Sequence, residues 1–103
     1  MPAKILGQAA PSAVTNTTVY TVPATKQAVF NVSMTNTAST PAMVRLALAA
    51  AAAPTSSEYV EYDTLLPQNG VLERGGLVAE AGKLVVVYSS IAGVSVSVYG
   101  YEE

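Results

Sequence analysis

Residues 94–101 read VSVSVYGY, an alternation in which the valines occupy every second position. Successive side chains of a β-strand point to opposite faces, so this period of two predicts a half-buried strand. The three valines would then face a core, whereas the outer face would carry Ser95, Ser97, Tyr99 and Tyr101. We expect the rest of the chain to be built from strands of the same kind.

The alternation recurs in residues 29–35, VFNVSMT, where Phe30, Val32 and Met34 share one face. Short runs rich in β-branched and aromatic residues are typical of strands. Further candidates occur along the whole chain: Lys4–Gln8, Thr18–Val22, Val44–Leu48, Glu58–Thr64, Gly70–Leu72, Leu77–Ala79 and Lys83–Ser89. Together these runs predict eight or nine short strands.

Turn-forming residues separate the predicted strands. Proline cannot donate a hydrogen bond to a sheet, so Pro23 should end one strand, and Asn69-Gly70 suits a tight hairpin. Three further reversals are expected at the glycine-containing pairs Gly75-Gly76, Ala81-Gly82 and Ala92-Gly93. Many short strands with such breaks predict an all-β fold, an antiparallel β-sandwich that is jelly-roll-like.

The chain length of 103 residues is near the commonest domain size. We expect residues 18–103 to form a single β-sandwich domain and residues 1–17 to form an N-terminal strand or an extended arm. Residues 47–53 are nearly all alanine, the best helix former, but alternation precedes this run and Pro54 stops it. We therefore predict a strand that continues into an alanine-rich loop, with at most one helical turn.

The composition argues against catalysis. The chain contains no histidine, cysteine or tryptophan, and only 12% of its residues are charged. General acid–base chemistry, covalent catalysis and transition-metal sites most often use histidine or cysteine. Glu61 and Asp63, two residues apart, are expected on one strand face with Tyr59, but this run lacks the pattern of a calcium loop. We expect no enzyme activity, no cofactor and no metal.

The same composition bears on the partners. The net charge is −2 and the basic residues are scattered, which argues against nucleic-acid binding. Neither an export signal nor a run long enough to cross a bilayer is visible, so no membrane contact is expected. Weakly charged surfaces lose little hydration energy on docking, and tyrosine is enriched at interfaces. We expect interface residues at Lys4, Ile5, Leu6, Tyr59, Tyr99 and Tyr101.

Several roles stay open for these residues. Tyr99 and Tyr101 could cap the sandwich edge, contact another subunit or stack on a sugar. Residues 4–14 could lie extended over a neighbouring molecule and supply an extra strand to it.

The turn-and-strand pattern of residues 18–103 resembles that of small all-β virion proteins of tailed bacteriophages. The similar segments are 18–24 (TVYTVPA), 35–37 (TNT), 62–66 (YDTLL), 76–78 (GLV), 80–86 (EAGKLVV) and 92–100 (AGVSVSVYG). Such modules occur as head decoration (cement) proteins and as parts of tails or fibres. The resemblance transfers no catalytic residue.

The resemblance implies a structural protein on the capsid surface of a virion, assembled in the host cytoplasm. Its partner would be the major capsid protein, whose neighbouring subunits it would bridge, and it would form a homo-oligomer such as a trimer. The alternatives are a tail, neck or baseplate component, a receptor-contacting module and a carbohydrate-binding module.

Overall fold

The computed structural model describes residues 3–103 and folds them into eight β-strands in two sheets. The strands are β1 (Lys4–Ala9), β2 (Thr17–Thr21), β3 (Ala28–Asn36), β4 (Ala42–Ala49), β5 (Tyr59–Leu66), β6 (Val71–Ala79), β7 (Leu84–Ser89) and β8 (Val94–Glu102). Sheet A has the order β1-β8-β3-β6 and sheet B the order β2-β7-β4-β5. All pairings are antiparallel. The predicted all-β sandwich is confirmed.

The strand order is that of a jelly roll. β4 pairs with β5, β3 with β6, β2 with β7 and β1 with β8, so the two halves of the chain run beside each other from the β4–β5 connection outward. This double ribbon is wrapped so that successive pairs alternate between the two sheets, which is the jelly-roll arrangement.

The core lies between the sheets and is formed by the inward faces of their central strands. Its largest fully buried side chains include Phe30, Val32, Met34, Val44, Leu46, Val85, Val87, Val94 and Val98. The predicted facing of residues 94–101 is confirmed, because the three valines of this strand are buried while Ser95 is exposed and Tyr99 and Tyr101 are half-buried. Period-two alternation therefore determines which side of each central strand enters the core.

The prediction of a reversal at Gly75-Gly76 is wrong. The runs predicted as two strands, Gly70–Leu72 and Leu77–Ala79, belong to the single strand β6, which carries a bulge at these glycines. Gly76 has a φ of 68°, a value that glycine adopts without steric cost. Its N–H donates to Asn31 Oδ1 at 3.2 Å, so a side chain of the neighbouring strand satisfies the bulged backbone.

Each edge strand of the described sheets contains a β-bulge. The extra residue lies on the edge strand every time: Leu6 in β1, Val19 in β2, one residue near Gly75 in β6, and two positions in β5. The inner pairs β3–β8 and β4–β7 keep an unbroken register. The register is therefore unbroken only between the central strands of each sheet.

The alanine-rich stretch confirms the prediction of a strand that continues into a loop. β4 ends at Ala49, and residues 50–53 are exposed bends. The Glu58 carboxylate closes this loop by accepting hydrogen bonds from the N–H groups of Thr55 at 2.8 Å and Ala50 at 3.0 Å. These backbone hydrogen bonds lower the pKa of Glu58.

The N-terminal segment packs on its own chain. β1 pairs with β8, Leu6 contacts the core, Pro11 is buried, and the Val14 N–H donates to the Ser89 carbonyl at 2.8 Å. The strand suggested for a neighbouring molecule is thus part of sheet A, and the sandwich includes β1. Residues 1 and 2 of the predicted segment 1–17 lie outside the described residues.

A hydrogen bond joins the two sheets where β8 ends. The Tyr20 hydroxyl on β2 donates to the Glu102 carboxylate on β8, and Lys4 Nζ lies 3.5 Å from the other carboxylate oxygen. The hydrogen bond from Tyr20, followed by the charge of Lys4, lowers the pKa of Glu102. Burial, followed by the same hydrogen bond, raises the pKa of Tyr20.

Tyr20→Phe should make the stability of the protein less sensitive to acid. A carboxylate with a lowered folded-state pKa contributes stability above its unfolded pKa, about 4.3, and loses it as pH falls through the folded pKa. Without the Tyr20 hydroxyl the pKa of Glu102 rises toward its ordinary value, so less stability is lost in acid. Urea unfolding of the wild type and of Tyr20→Phe, from pH 7 down to pH 3, measures this difference. Glu58 also has a lowered pKa, but it contributes equally to both proteins. An equal loss of stability in acid for the two proteins would contradict the prediction.

Candidate interaction surfaces

A groove of about 530 Å³ crosses the outer face of sheet A. It is lined mainly by apolar atoms of Ala3, Lys4, Ile5, Val29, Phe30, Asn31, Gly76, Tyr99, Gly100 and Tyr101. Gly76 helps to leave this space open, because nothing lies within 4 Å of the position that a Cβ would occupy there. We call this feature the sheet A groove.

The structure brings four of the six predicted interface residues together in the sheet A groove. Lys4, Ile5, Tyr99 and Tyr101 all line it, and Ile5 is 56% exposed. Leu6 points to the opposite side of β1 and packs against the core. Tyr59 belongs to β5 of the other sheet, so it is not part of this surface.

Beyond the groove, this face carries polar side chains and two exposed valines of β6, Val71 and Val78. Tyr99 donates from its hydroxyl to Glu73 at 3.3 Å, and the Gln8 amide donates to Ser97 Oγ at 3.2 Å. Hydroxyls and amides of this kind are less costly to desolvate than charges.

The outer face of sheet B is centred on an arginine held between two tyrosines. The Arg45 guanidinium carbon lies 4.3 Å from the ring centroid of Tyr62 and 4.3 Å from that of Tyr88. Its Nε donates to Asp63 Oδ1 at 2.6 Å, which raises the pKa of Arg45. Cation–π stacking and the carboxylate together fix a side chain that would otherwise be mobile.

Apolar side chains extend this surface. Met43 on β4 and Leu65 on β5 lie directly opposite each other in the ladder and are 42% and 61% exposed. Tyr59 packs edge-on against Tyr62, with ring centroids 4.8 Å apart and an interplanar angle of 80°. We call the surface formed by Met43, Arg45, Tyr62, Leu65 and Tyr88 the Arg45 face.

Tyr59 also covers a second, smaller apolar cluster on the outside of sheet B. It packs with Leu84 against Ala47, Ala49 and Val86, which are 0–2% exposed. This cluster supports Tyr62 from beneath through its contact with Tyr59. Tyr59 therefore contributes to the Arg45 face mainly by holding Tyr62 in place.

The expectation that Glu61 and Asp63 share a strand face is wrong. One register shift, between Glu61 and Thr64, and a φ of 51° at Asp63 change the facing of β5 between these residues. Asp63 turns outward to Arg45, whereas Glu61 accepts from Thr64 Oγ1 at 2.6 Å and pairs with Arg74 at 3.2 Å. Among residues 3–103, the structure shows no group of three acidic, histidine or cysteine side chains that could hold a metal ion.

Sequence reasoning missed the Arg45 face because its members come from three strands, β4, β5 and β7. One signal was present: Met43 and Arg45 alternate with the inward-facing Val44 and Leu46, so both had to point outward. The register that places Tyr62 and Tyr88 on either side of Arg45 depends on long-range pairing, which no local pattern encodes.

The strand order defines the class of the protein as a jelly-roll β-sandwich. No protein-family model matches the chain, and neither does any curated protein. Residues 3–103 contain no helix long and apolar enough to span a membrane.

Proposed function

We propose that the protein is a structural component of a tailed-bacteriophage virion that decorates the capsid and stabilises it by bridging neighbouring major capsid subunits. One observation carries this proposal: contact-forming side chains occupy both outer faces of the sandwich, the sheet A groove on one side and the Arg45 face on the other. A bridging subunit needs two separate contact surfaces. The resemblance of residues 18–103 to phage virion proteins supports the same function.

Charge pairing within the chain also supports a docking role. Three basic residues are each joined to an acidic one: Lys4 to Glu102, Arg45 to Asp63 and Arg74 to Glu61. Burying an unpaired charge against a partner is costly, whereas a paired charge and neutral hydroxyls can be covered with a smaller penalty. The outer faces are therefore suited to a partner surface of low charge.

The mechanism is mechanical and needs no catalytic residue. Each subunit adds contacts between neighbouring capsid subunits, and these contacts must break before the shell can rupture under the pressure of the packaged genome. Copies held side by side also raise one another's effective concentration, so modest individual contacts add up over the shell.

The copy number on purified phage particles tests this function. Quantitative mass spectrometry should find this chain at a level comparable to that of the major shell protein, because a decoration protein repeats with the capsid lattice. A level lower by about an order of magnitude or more would contradict decoration. A minor internal head protein of known copy number serves as the calibration control.

The second candidate function is a tail, neck, baseplate or receptor-contacting component. The concave shape of the sheet A groove, with Tyr99 and Tyr101 in its lining, favours it, since ligand sites are usually concave and aromatic. The same copy-number measurement decides between the two, because tail parts are present in few copies. Complete absence from particles would favour a carbohydrate-binding module, a role that jelly rolls also serve in lectins.

A further inference from the structure

The Arg45 face has the composition of a protein–protein contact. Tyrosine and arginine are among the residue types enriched at energetically dominant contacts, and methionine is enriched at interfaces. Leu65 is 61% exposed, Tyr62 56% and Met43 42%, and all three lie on two neighbouring strands. We propose that the partner of this face is a second copy of the same chain, bound face to face about a two-fold axis.

Charge self-complementarity is the reason for choosing a second copy. A two-fold contact places one patch against itself, so the patch must be its own complement. The Arg45 face carries one positive and one negative group side by side, Arg45 and Asp63, 2.6 Å apart. When the axis passes between the two groups, a two-fold rotation reverses their order and sets each Arg45 toward the partner's Asp63. A patch of a single sign would repel its own copy.

The surface is organised before any partner arrives. Arg45 is held by two rings and a carboxylate, and Tyr62 is held by Arg45 and Tyr59. Association normally costs the ordering of long side chains, and side chains already fixed reduce that cost. The exposed Met43 and Leu65 lie beside this fixed cluster and supply the apolar area.

The dimensions of the molecule allow a stable contact. Its extents are 41, 28 and 19 Å, and the shortest matches two sheets about 10 Å apart with side chains on their outer sides. The broad faces thus measure about 41 by 28 Å. Each partner in a standard interface loses about 800 Å² of surface, which such a face can provide.

Pairing through the Arg45 face leaves the sheet A groove of each copy free on the outside of the pair. The two grooves then point in opposite directions. This inference rests on the proposed function and makes the pair, rather than the single subunit, the bridge between two neighbouring capsomers: the Arg45 faces join the two copies, and one groove faces each capsomer. It also favours a two-fold pair over the trimer that the resemblance suggested.

A pair of matched substitutions tests the pairing on the purified full chain. Leu65→Glu places a charge on the Arg45 face, and Val78→Glu places the same charge on the opposite sheet at nearly equal exposure, 61% against 63%. Sedimentation velocity over a concentration series should show a dimer for the wild type and for Val78→Glu. Leu65→Glu should weaken the dimer by about tenfold or more, because the contact would bury an unpaired carboxylate.

Circular dichroism shows whether each variant is folded, and Met43→Glu replaces Leu65→Glu if the latter is not. A wild-type protein that stays monomeric or forms a trimer would overturn the proposal, as would a folded Leu65→Glu that dimerises like Val78→Glu. The measurement uses no phage particles, so its failure is distinct from that of the proposed function. A monomer that is abundant on particles overturns only the pairing, and a dimer absent from particles overturns only decoration.

Discussion

Gly100→Ala should strongly destabilise the protein, because the added Cβ would collide with the backbone of the neighbouring strand. A Cβ at this position would overlap the Val29 carbonyl oxygen and lie 2.7 Å from Phe30 Cα, both of which are backbone atoms of β3. β8 is held between β1 and β3 in the centre of sheet A, so it cannot move away from one neighbour without pressing on the other. The two central strands can accept the methyl group only by separating.

The expected loss is large compared with the total stability. Overpacking a core costs about 1–3 kcal/mol when side chains can adjust. Here the backbone must give way, so we expect a loss above about 3 kcal/mol from a total that is typically 5–15 kcal/mol. Urea unfolding followed by circular dichroism measures it.

Gly75→Ala on β6 is the matched control for this substitution. The nearest atom to a Cβ there, outside the adjoining residues, is Asn31 Oδ1 at 2.9 Å, part of a side chain that can rotate away. We expect this variant to lose about 1 kcal/mol, the order of one hydrogen bond. The clash at Gly100 would be contradicted if the two variants unfolded at the same urea concentration.

Phe30→Ala should destabilise the protein by about 3–5 kcal/mol, because it removes a buried aromatic side chain and leaves a cavity. Phe30 is 1% exposed and meets the Tyr20 ring edge-on, with centroids 6.3 Å apart. This contact joins β3 of sheet A to β2 of sheet B, so removal of the ring weakens the packing between the two sheets.

Val78→Ala is the control for the cavity, since Val78 is 63% exposed on the outer face of sheet A. Surface substitutions usually change stability by no more than about 0.5 kcal/mol. Chemical unfolding of both variants at one pH gives the comparison. A loss at Phe30 as small as that at Val78 would mean that the two sheets do not pack through this ring.

The central strands are the part of the fold that local sequence predicts best. β3 and β8 were expected at residues 29–35 and 94–101. The structure extends β3 by one residue at each end and β8 by one residue at its C-terminal end. Both alternate strictly because one face meets the core and the other meets solvent, so burial imposes the period of two on the sequence. Asn69-Gly70 does mark a turn, between β5 and β6, but these strands lie in different sheets, so the tight hairpin predicted there is wrong.

The edge strands were predicted less well because their bulges change the facing of side chains. At Gly75-Gly76 a pair of glycines serves a bulge, although the same pair would suit a turn. In β5 one bulge places Glu61 and Asp63 on different sides, whereas strict alternation would place them together. The Arg45 face could not be predicted from local sequence, because it depends on the alignment of three strands that are distant in sequence.

The bulged edges have a consequence for molecules that are crowded together. A straight, exposed edge offers a row of free N–H and C=O groups, and such rows recruit further strands until sheets grow into fibrils. β1, β2, β5 and β6 each interrupt that row. Copies that lie side by side are therefore less prone to polymerise through their edges, and the broad faces are the regular surfaces left for contact.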